Sequence, residues 1–236
     1  MKYLILDTET TGLHHQKDKA FAVSYCLRRS VSGIDLSEAP IFFLDFREES
    51  SQISNIELIT RIIDQADLLI GHNLKFDLHQ LIQAGVPWEV MKDKKFHCTQ
   101  IAEACLNEHQ KSYSLDSLGH FYFNLPKIDI VSQIRDSFGK RMSKSKAMGM
   151  ISEMPVPWVE KYCNRDVRIT ELLYKKQRDV IKDQPIFDLE MRVLPNLLEI
   201  ERRGVVVDLE ALEAAKAEYD TKIAELENKV EVNVSS

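Results

Sequence analysis

Lys2-Tyr3-Leu4-Ile5-Leu6-Asp7 is apolar from Tyr3 up to the aspartate, and Thr8-Glu9-Thr10-Thr11-Gly12-Leu13 follows it directly. A run of this kind predicts a central strand buried on both faces. Such a strand belongs to an α/β sheet covered by helices. Asp7 and Glu9 stand two apart at its end, so strand alternation points both carboxylates to one side. Side by side they repel, and one takes up a proton unless a cation neutralises the pair, which points to a divalent metal. An isolated pair of this type is more often a solvated acidic turn. Its position at the end of a buried strand, where α/β sheets bind ligands, raises it above that reading.

Two more β-rich runs follow, Ala20 to Arg28 and Pro40 to Phe46, with a polar stretch around Ser30 to Gly33 between them that predicts a hairpin turn. Ile56, Ile59, Ile62 and Ile63 recur at helical spacing within Asn55 to Ala66, and Leu68 to Ile70 is a short strand ending at Gly71. Helical patterns cover Phe76 to Ala84, Thr99 to Leu106, Ser114 to Phe121 and Pro157 to Val180. The expected architecture is α/β, a mixed sheet flanked by helices, with a helical C-terminal segment. A second unit is expected from residue 185. There Leu189, Val193, Leu197 and Ile200 form a helical stripe closed by Gly204, and Val205 to Val207 predicts a short strand. Leu212, Tyr219, Ile223, Leu226 and Val230 make a heptad-like seam with no core of its own.

Two further acids stand out. Asp77 lies near the start of a helix after a second strand, in Gly71-His72-Asn73-Leu74-Lys75-Phe76-Asp77. Asp166 shares a helical face with Tyr162, Val159, Ile169 and Leu173. A carboxylate on a core-facing stripe needs a partner. No lysine or arginine is well placed on that stripe, so metal coordination is the more economical reading.

The formal net charge is −6, unlike the basic surface of most nucleic-acid binders. Locally, Arg135, Lys140, Arg141, Lys144 and Lys146 oppose only Asp136 between residues 135 and 146. This stretch reads as a flexible surface loop or as a mobile DNA contact, and the sequence does not separate the two. No apolar run approaches the ~20 residues that span a bilayer. Met1 leads straight into the first strand, which predicts an intracellular, cytoplasmic location. Cys26, Cys98, Cys105 and Cys163 are scattered without a CxxC pair, as expected of reduced structural thiols. Trp88 and Trp158 read as packing residues, and His14-His15 as a solvated loop.

Asp7-Thr8-Glu9-Thr10, His72-Asn73-Leu74-Lys75-Phe76-Asp77 and Tyr162-x-x-x-Asp166, in that order, resemble the three exonuclease motifs of the DnaQ-like superfamily. The tyrosine four before the last aspartate is similar to the DEDDy branch, which holds polymerase proofreading domains and RNase D. The resemblance implies a ribonuclease H-like fold. Leu189-Glu190-Met191 and Glu199 through Asp208 resemble the segment joining exonuclease and polymerase domains in the DNA polymerase I family, and Asn233-Val234-Ser235-Ser236 resembles the base of that family's thumb. The expected domains are thus a 3′-5′ exonuclease over residues 1–184, then a helical linker and the start of a thumb over 185–236, with a polymerase domain beyond Ser236. A bacterial or phage-infected cell is the implied setting.

The same resemblance implies hydrolysis of phosphodiester bonds at single-stranded or frayed DNA 3′ ends with two Mg²⁺ ions, Mn²⁺ being possible. Asp7 would bridge both ions. Glu9 and Asp166 would complete the first site, Asp77 the second, and Tyr162 with Glu9 would orient the attacking water. An all-oxygen set with no histidine suits magnesium better than zinc. Leu13 matches an apolar residue near the terminal base, and Asn73 and Lys75 match positions near the strand end; Thr8 and Phe76 join them as substrate-binding positions. Three rivals stay open: an RNase D-like exoribonuclease, a silent structural module of a polymerase, and, more weakly, an aspartyl-phosphate phosphatase built on Asp7.

Overall fold

The computed structural model describes residues 1–14, 16–29, 40–139 and 141–229. The turn expected around Ser30 to Gly33, His15, Lys140, Val230 of the seam and the Asn233–Ser236 motif lie outside the described residues.

Strands β1 (Lys2–Thr10), β2 (Ala20–Arg29), β3 (Phe42–Asp45), β4 (Leu68–Gly71) and β5 (Lys95–Cys98) form one mixed sheet in the order β3-β2-β1-β4-β5. β1 pairs antiparallel with β2 and parallel with β4, so the strand carrying Asp7 and Glu9 is central, as its apolar run requires. Leu4, Ile5 and Leu6 are fully buried. Each such side chain contributes roughly 1.5–3 kcal/mol relative to exposure. β5 was not read from the sequence: Lys95-Phe96-His97-Cys98 is only four residues long and is fixed by pairing with β4.

The two faces of β1 bury against different helices. Leu4 and Leu6 join a core with Ile59 and Ile63 of α1 (Glu49–Asp64), Leu74, Leu78 and Leu81 of α2 (Leu74–Ala84), and Ala102 of α3 (Thr99–Leu106). Tyr3 and Ile5 on the opposite face pack with Val167 and Tyr174 of the long helix α7 (Val156–Ile181). Helix α4 (Leu115–Phe123) lies on α7 through Leu115, Leu118, Ile169 and Leu173. The chain therefore has the helix-flanked mixed sheet expected of it.

The basic stretch is only partly a loop: Arg135 lies on α5 (Ile130–Phe138) and Lys144 and Lys146 on α6 (Lys144–Met148), with Arg141 in the connection between them, because Ile130, Ile134 and Ala147 bury in a core with Phe21 and Tyr162. Compact packing also continues beyond residue 184. Helix α8 (Pro185–Arg203) sends Phe187, Met191, Leu194 and Leu198 into the main core, and the first compact unit runs to Glu199.

The second unit, Ile200–Ser236, contains α9 (Leu209–Glu227), whose first turn is capped by Asp208 accepting from the Ala211 amide at 3.1 Å. Leu212, Tyr219, Ile223 and Leu226 of the seam are exposed. Val205 to Val207 do not form the expected strand: Val206 is 98% exposed and, among the described residues, no ladder partner fixes the run.

Candidate active site

The faces of β1 decide how the site is assembled. Asp7 and Glu9 follow Tyr3 and Ile5 onto the face covered by α7. Ser24, opposite Asp7 in the β1–β2 ladder, donates to Asn164 Oδ1 at 2.7 Å and ties α7 to the sheet at that level. One turn of α7 then brings Tyr162, Cys163 and Asp166 to the acids. The Cys163 thiol donates toward the Asp7 carbonyl at 3.5 Å and lies 3.7 Å from Asp7 Oδ2.

Asp77 arrives from the opposite face. Leu74, Leu78 and Leu81 anchor α2 beneath Leu4 and Leu6, which sets Asp77 against Thr8. Its Oδ1 accepts from the Thr8 amide at 3.0 Å and from the Thr8 hydroxyl at 2.7 Å. The structure thus gathers Asp7, Glu9, Asp77, Tyr162 and Asp166 at the end of β1. Thr8 is buried as the holder of Asp77. Asn73 caps α2 in a left-handed conformation at φ 64° and is exposed, with Lys75 and Phe76 in the turn that carries Asp77. Leu13 stands 85% exposed on the loop after β1.

Burial dominates the electrostatics. It raises Asp7 to about 7, with Asp77 adding to the effect and Lys127 opposing it. Burial likewise lifts Asp77 and Asp166 to about 7, and pushes Glu9 well above its ordinary value, helped by Asp7 and Asp166. Burial also raises the Tyr162 hydroxyl, so it stays protonated near neutrality. Lys127 alone does not offset the burial of four acids. Among the described residues, the buried Asp166 Oδ1 has no hydrogen-bond partner. Ligand atoms of Asp7, Glu9 and Cys163 all lie within 4.8 Å of one another. These features fit a cation. His72 does not compete for it: Nε2 donates to the Tyr113 carbonyl at 2.9 Å, Nδ1 lies 2.9 Å from Thr99 Oγ1, and burial lowers its pKa to about 4.

Asp166 is not without a counterion, as the helical stripe alone suggested. Lys127, from the loop between α4 and α5, pairs its ammonium with Asp166 Oδ2 and lies 4.9 Å from the Tyr162 ring centroid. Asp166, Tyr162 and Asp7 outweigh the cost of burial and hold this lysine above its ordinary pKa. No periodicity links position 127 to position 166, so sequence reasoning missed it. Cys163 could have been found, because it lies three residues before Asp166 on α7. Lys127 and Tyr162 line a groove of about 690 Å³ together with Arg135 and Lys144, so these two basic residues border the site.

No helix among the described residues is long and apolar enough to cross a membrane. The chain is 30% identical over 210 residues to the DNA polymerase DpoZ of Salmonella phage PMBT28, covering 87% of this chain and 31% of the phage protein. It is 22% identical over 227 residues to DNA polymerase I of Pseudomonas aeruginosa, covering 95% of this chain and 24% of that one. The chain thus spans about a third or less of the length of these relatives. Brucella melitensis NrnC bound to pGG shares the fold at a TM-score of 0.58 and 18% identity, over 86% of this chain and 85% of that one. The POL domain of Pol1 from M. smegmatis, in complex with DNA primer-template and dNTP, does so at 0.61 and 13%, over 100% of this chain and 35% of that one. The sequence profile of the 3′-5′ exonuclease family matches residues 1–182, and the chain belongs to that family, as a 3′-5′ exonuclease domain of the kind found in DNA polymerase I-like proteins.

Proposed function

We propose that Asp7, Glu9, Asp77 and Asp166 hold two divalent cations, Mg²⁺ by the hardness of the oxygen donors, and that the chain removes nucleotides from single-stranded or frayed DNA 3′ ends. The observation that carries this reading is the convergence of four acids from three segments on one buried cleft, with their ionisation suppressed by burial and Asp166 Oδ1 left without a partner. When bound, the ions supply an activated water and neutralise charge that develops on the phosphate.

The protein's own groups do the remaining work. Thr8 orients the Asp77 carboxylate through two hydrogen bonds. Tyr162, protonated and close to Asp166 and Glu9, positions the attacking water by its hydroxyl. Leu13, exposed at its loop, offers an apolar surface to the terminal base, and Asn73, Lys75 and Phe76 border the strand end from α2. Contacts of this kind tolerate any base, which suits removal of mismatches. The longer phage and bacterial relatives are named DNA polymerases, which supports an intracellular proofreading role beside a polymerase domain, with residues 185–236 as linker and thumb base.

The test is a digest of matched 3′-labelled DNA and RNA single strands with Mg²⁺. Stepwise release of mononucleotides from DNA, abolished by Asp7→Asn and by Asp166→Asn, is expected. Preference for RNA, or wild-type hydrolysis by Asp7→Asn, would sink the proposal.

A further inference from the structure

Lys127 is a charged group of the cleft that the carboxylate scheme leaves without a role. Its backbone is fixed: the Lys127 amide donates to Asp116 Oδ1 at 2.8 Å, and the preceding Leu125 amide donates to the Gly119 carbonyl at 3.0 Å. From this anchor the side chain crosses the Tyr162 ring and ends on Asp166 Oδ2. Its charge bears on Asp7, Glu9, Asp77 and Asp166 alike. A lysine ammonium is a compact charge on a flexible stem, able to exchange one oxygen partner for another within a few ångströms.

Resting on the reading of the site given above, we propose that Lys127 is a substrate-contacting residue. Its ammonium neutralises Asp166 while no divalent ion is bound, is released from that carboxylate when an ion takes over its charge, and then grips the phosphate of the strand's scissile linkage. Three observations support it. First, ammonium and ion draw on the same carboxylate, since Lys127 already occupies Asp166 Oδ2 and Oδ1, which has no partner among the described residues, is the atom open to an ion. Second, charge balances only with the lysine: four carboxylates and two divalent ions cancel, a phosphodiester adds one negative charge, and the ammonium restores neutrality in a poorly solvated cleft where imbalance is costly. Third, Lys127 lines one groove with Arg135 and Lys144, three cations against the two acids Asp116 and Asp129, so the groove carries a net positive charge for a polyanion.

The experiment compares K127M with the wild-type chain, using Mn²⁺ binding without DNA, followed by the paramagnetic signal of free Mn²⁺, and single-turnover hydrolysis of a 3′-labelled DNA strand. Without the competing ammonium, K127M should bind Mn²⁺ tighter by about threefold or more. At saturating Mn²⁺ its hydrolysis rate should fall on the order of 10²-fold, as when one donor to a developing anion is lost. K127R, which keeps the charge, should recover part of that rate. Hydrolysis at the wild-type rate, or Mn²⁺ affinity unchanged or weakened, overturns the proposal. Should K127M not fold, K127Q carries the same measurements; failure of both neutral variants to fold marks Lys127 as a structural tie and likewise overturns it. Failure of the wild-type chain to bind Mn²⁺ at all would instead refute the metal-binding reading on which the proposal stands.

Discussion

Asp77→Asn should make the metal-free protein more stable, and increasingly so as the pH rises. Asp77 is 3% exposed, and burial lifts its carboxyl from 3.8 to about 7. The folded chain therefore keeps a proton that the unfolded chain releases. Stability is fully present below the unfolded value, declines as pH rises from about 4 towards 7, and stays lost above that. A rise of roughly 3 units at 1.36 kcal/mol each sets an upper value of about 4 kcal/mol at pH 8, and less than half of it at pH 5. Asparagine keeps the Oδ1 that accepts from the Thr8 amide and hydroxyl, and relieves the charge that raises Asp7. For a chain of this size the gain corresponds to roughly 5–15 °C at pH 8.

The assay is thermal unfolding by circular dichroism in EDTA at pH 5 and pH 8, read as variant minus wild type. The difference matters because burial also lowers His72 and His97 to about 4, and these imidazoles cost stability as pH falls below about 6.5, in the opposite sense. A variant no more stable than wild type at pH 8, or a gain equal at both pH values, would refute the burial argument.

Divalent ions should reverse the same penalty. Mg²⁺ at about 100 times its pH 8 dissociation constant should stabilise the wild-type chain by about 2.7 kcal/mol at pH 8, the same concentration should stabilise it less at pH 5, and Asp77→Asn should lose much of that shift in a thermal melt. Glu171→Ala should cost about 3–5 kcal/mol in urea unfolding, because Arg28 (side chain 2% exposed, 3.1 Å from Glu171) would lose its buried carboxylate. Gly119→Ala should cost about 1–3 kcal/mol despite the better helix propensity of alanine, since its Cβ would lie 2.7 Å from the Leu125 carbonyl and 2.9 Å from Ile169 on α7. Because Leu125 leads to Lys127, that variant should also slow nucleotide release, which a hydrolysis time course would detect.

The central strand was legible because Tyr3 to Leu6 is apolar without a break and can only be buried on both faces. Alternation fixed Asp7 and Glu9 to one side, and helical spacing placed Asp166 beside Tyr162; both rest on local periodicities that tertiary packing left intact. Asp77 lacked any such warrant in the sequence, and its place is set by packing, where α2 buries Leu74, Leu78 and Leu81 and brings the acid to Thr8. The two helices that carry Arg135, Lys144 and Lys146 were hidden because Ile130, Ile134 and Ala147 count as a core only against Phe21 and Tyr162, remote in the chain. The first unit reaches Glu199 for the same reason, α8 being held by long-range burial. The Lys127–Asp166 pair is the clearest case of what tertiary structure alone decides. Periodicity relates residues on one element, whereas a cation from a loop meets an acid on a helix only once both pack around the end of the same strand.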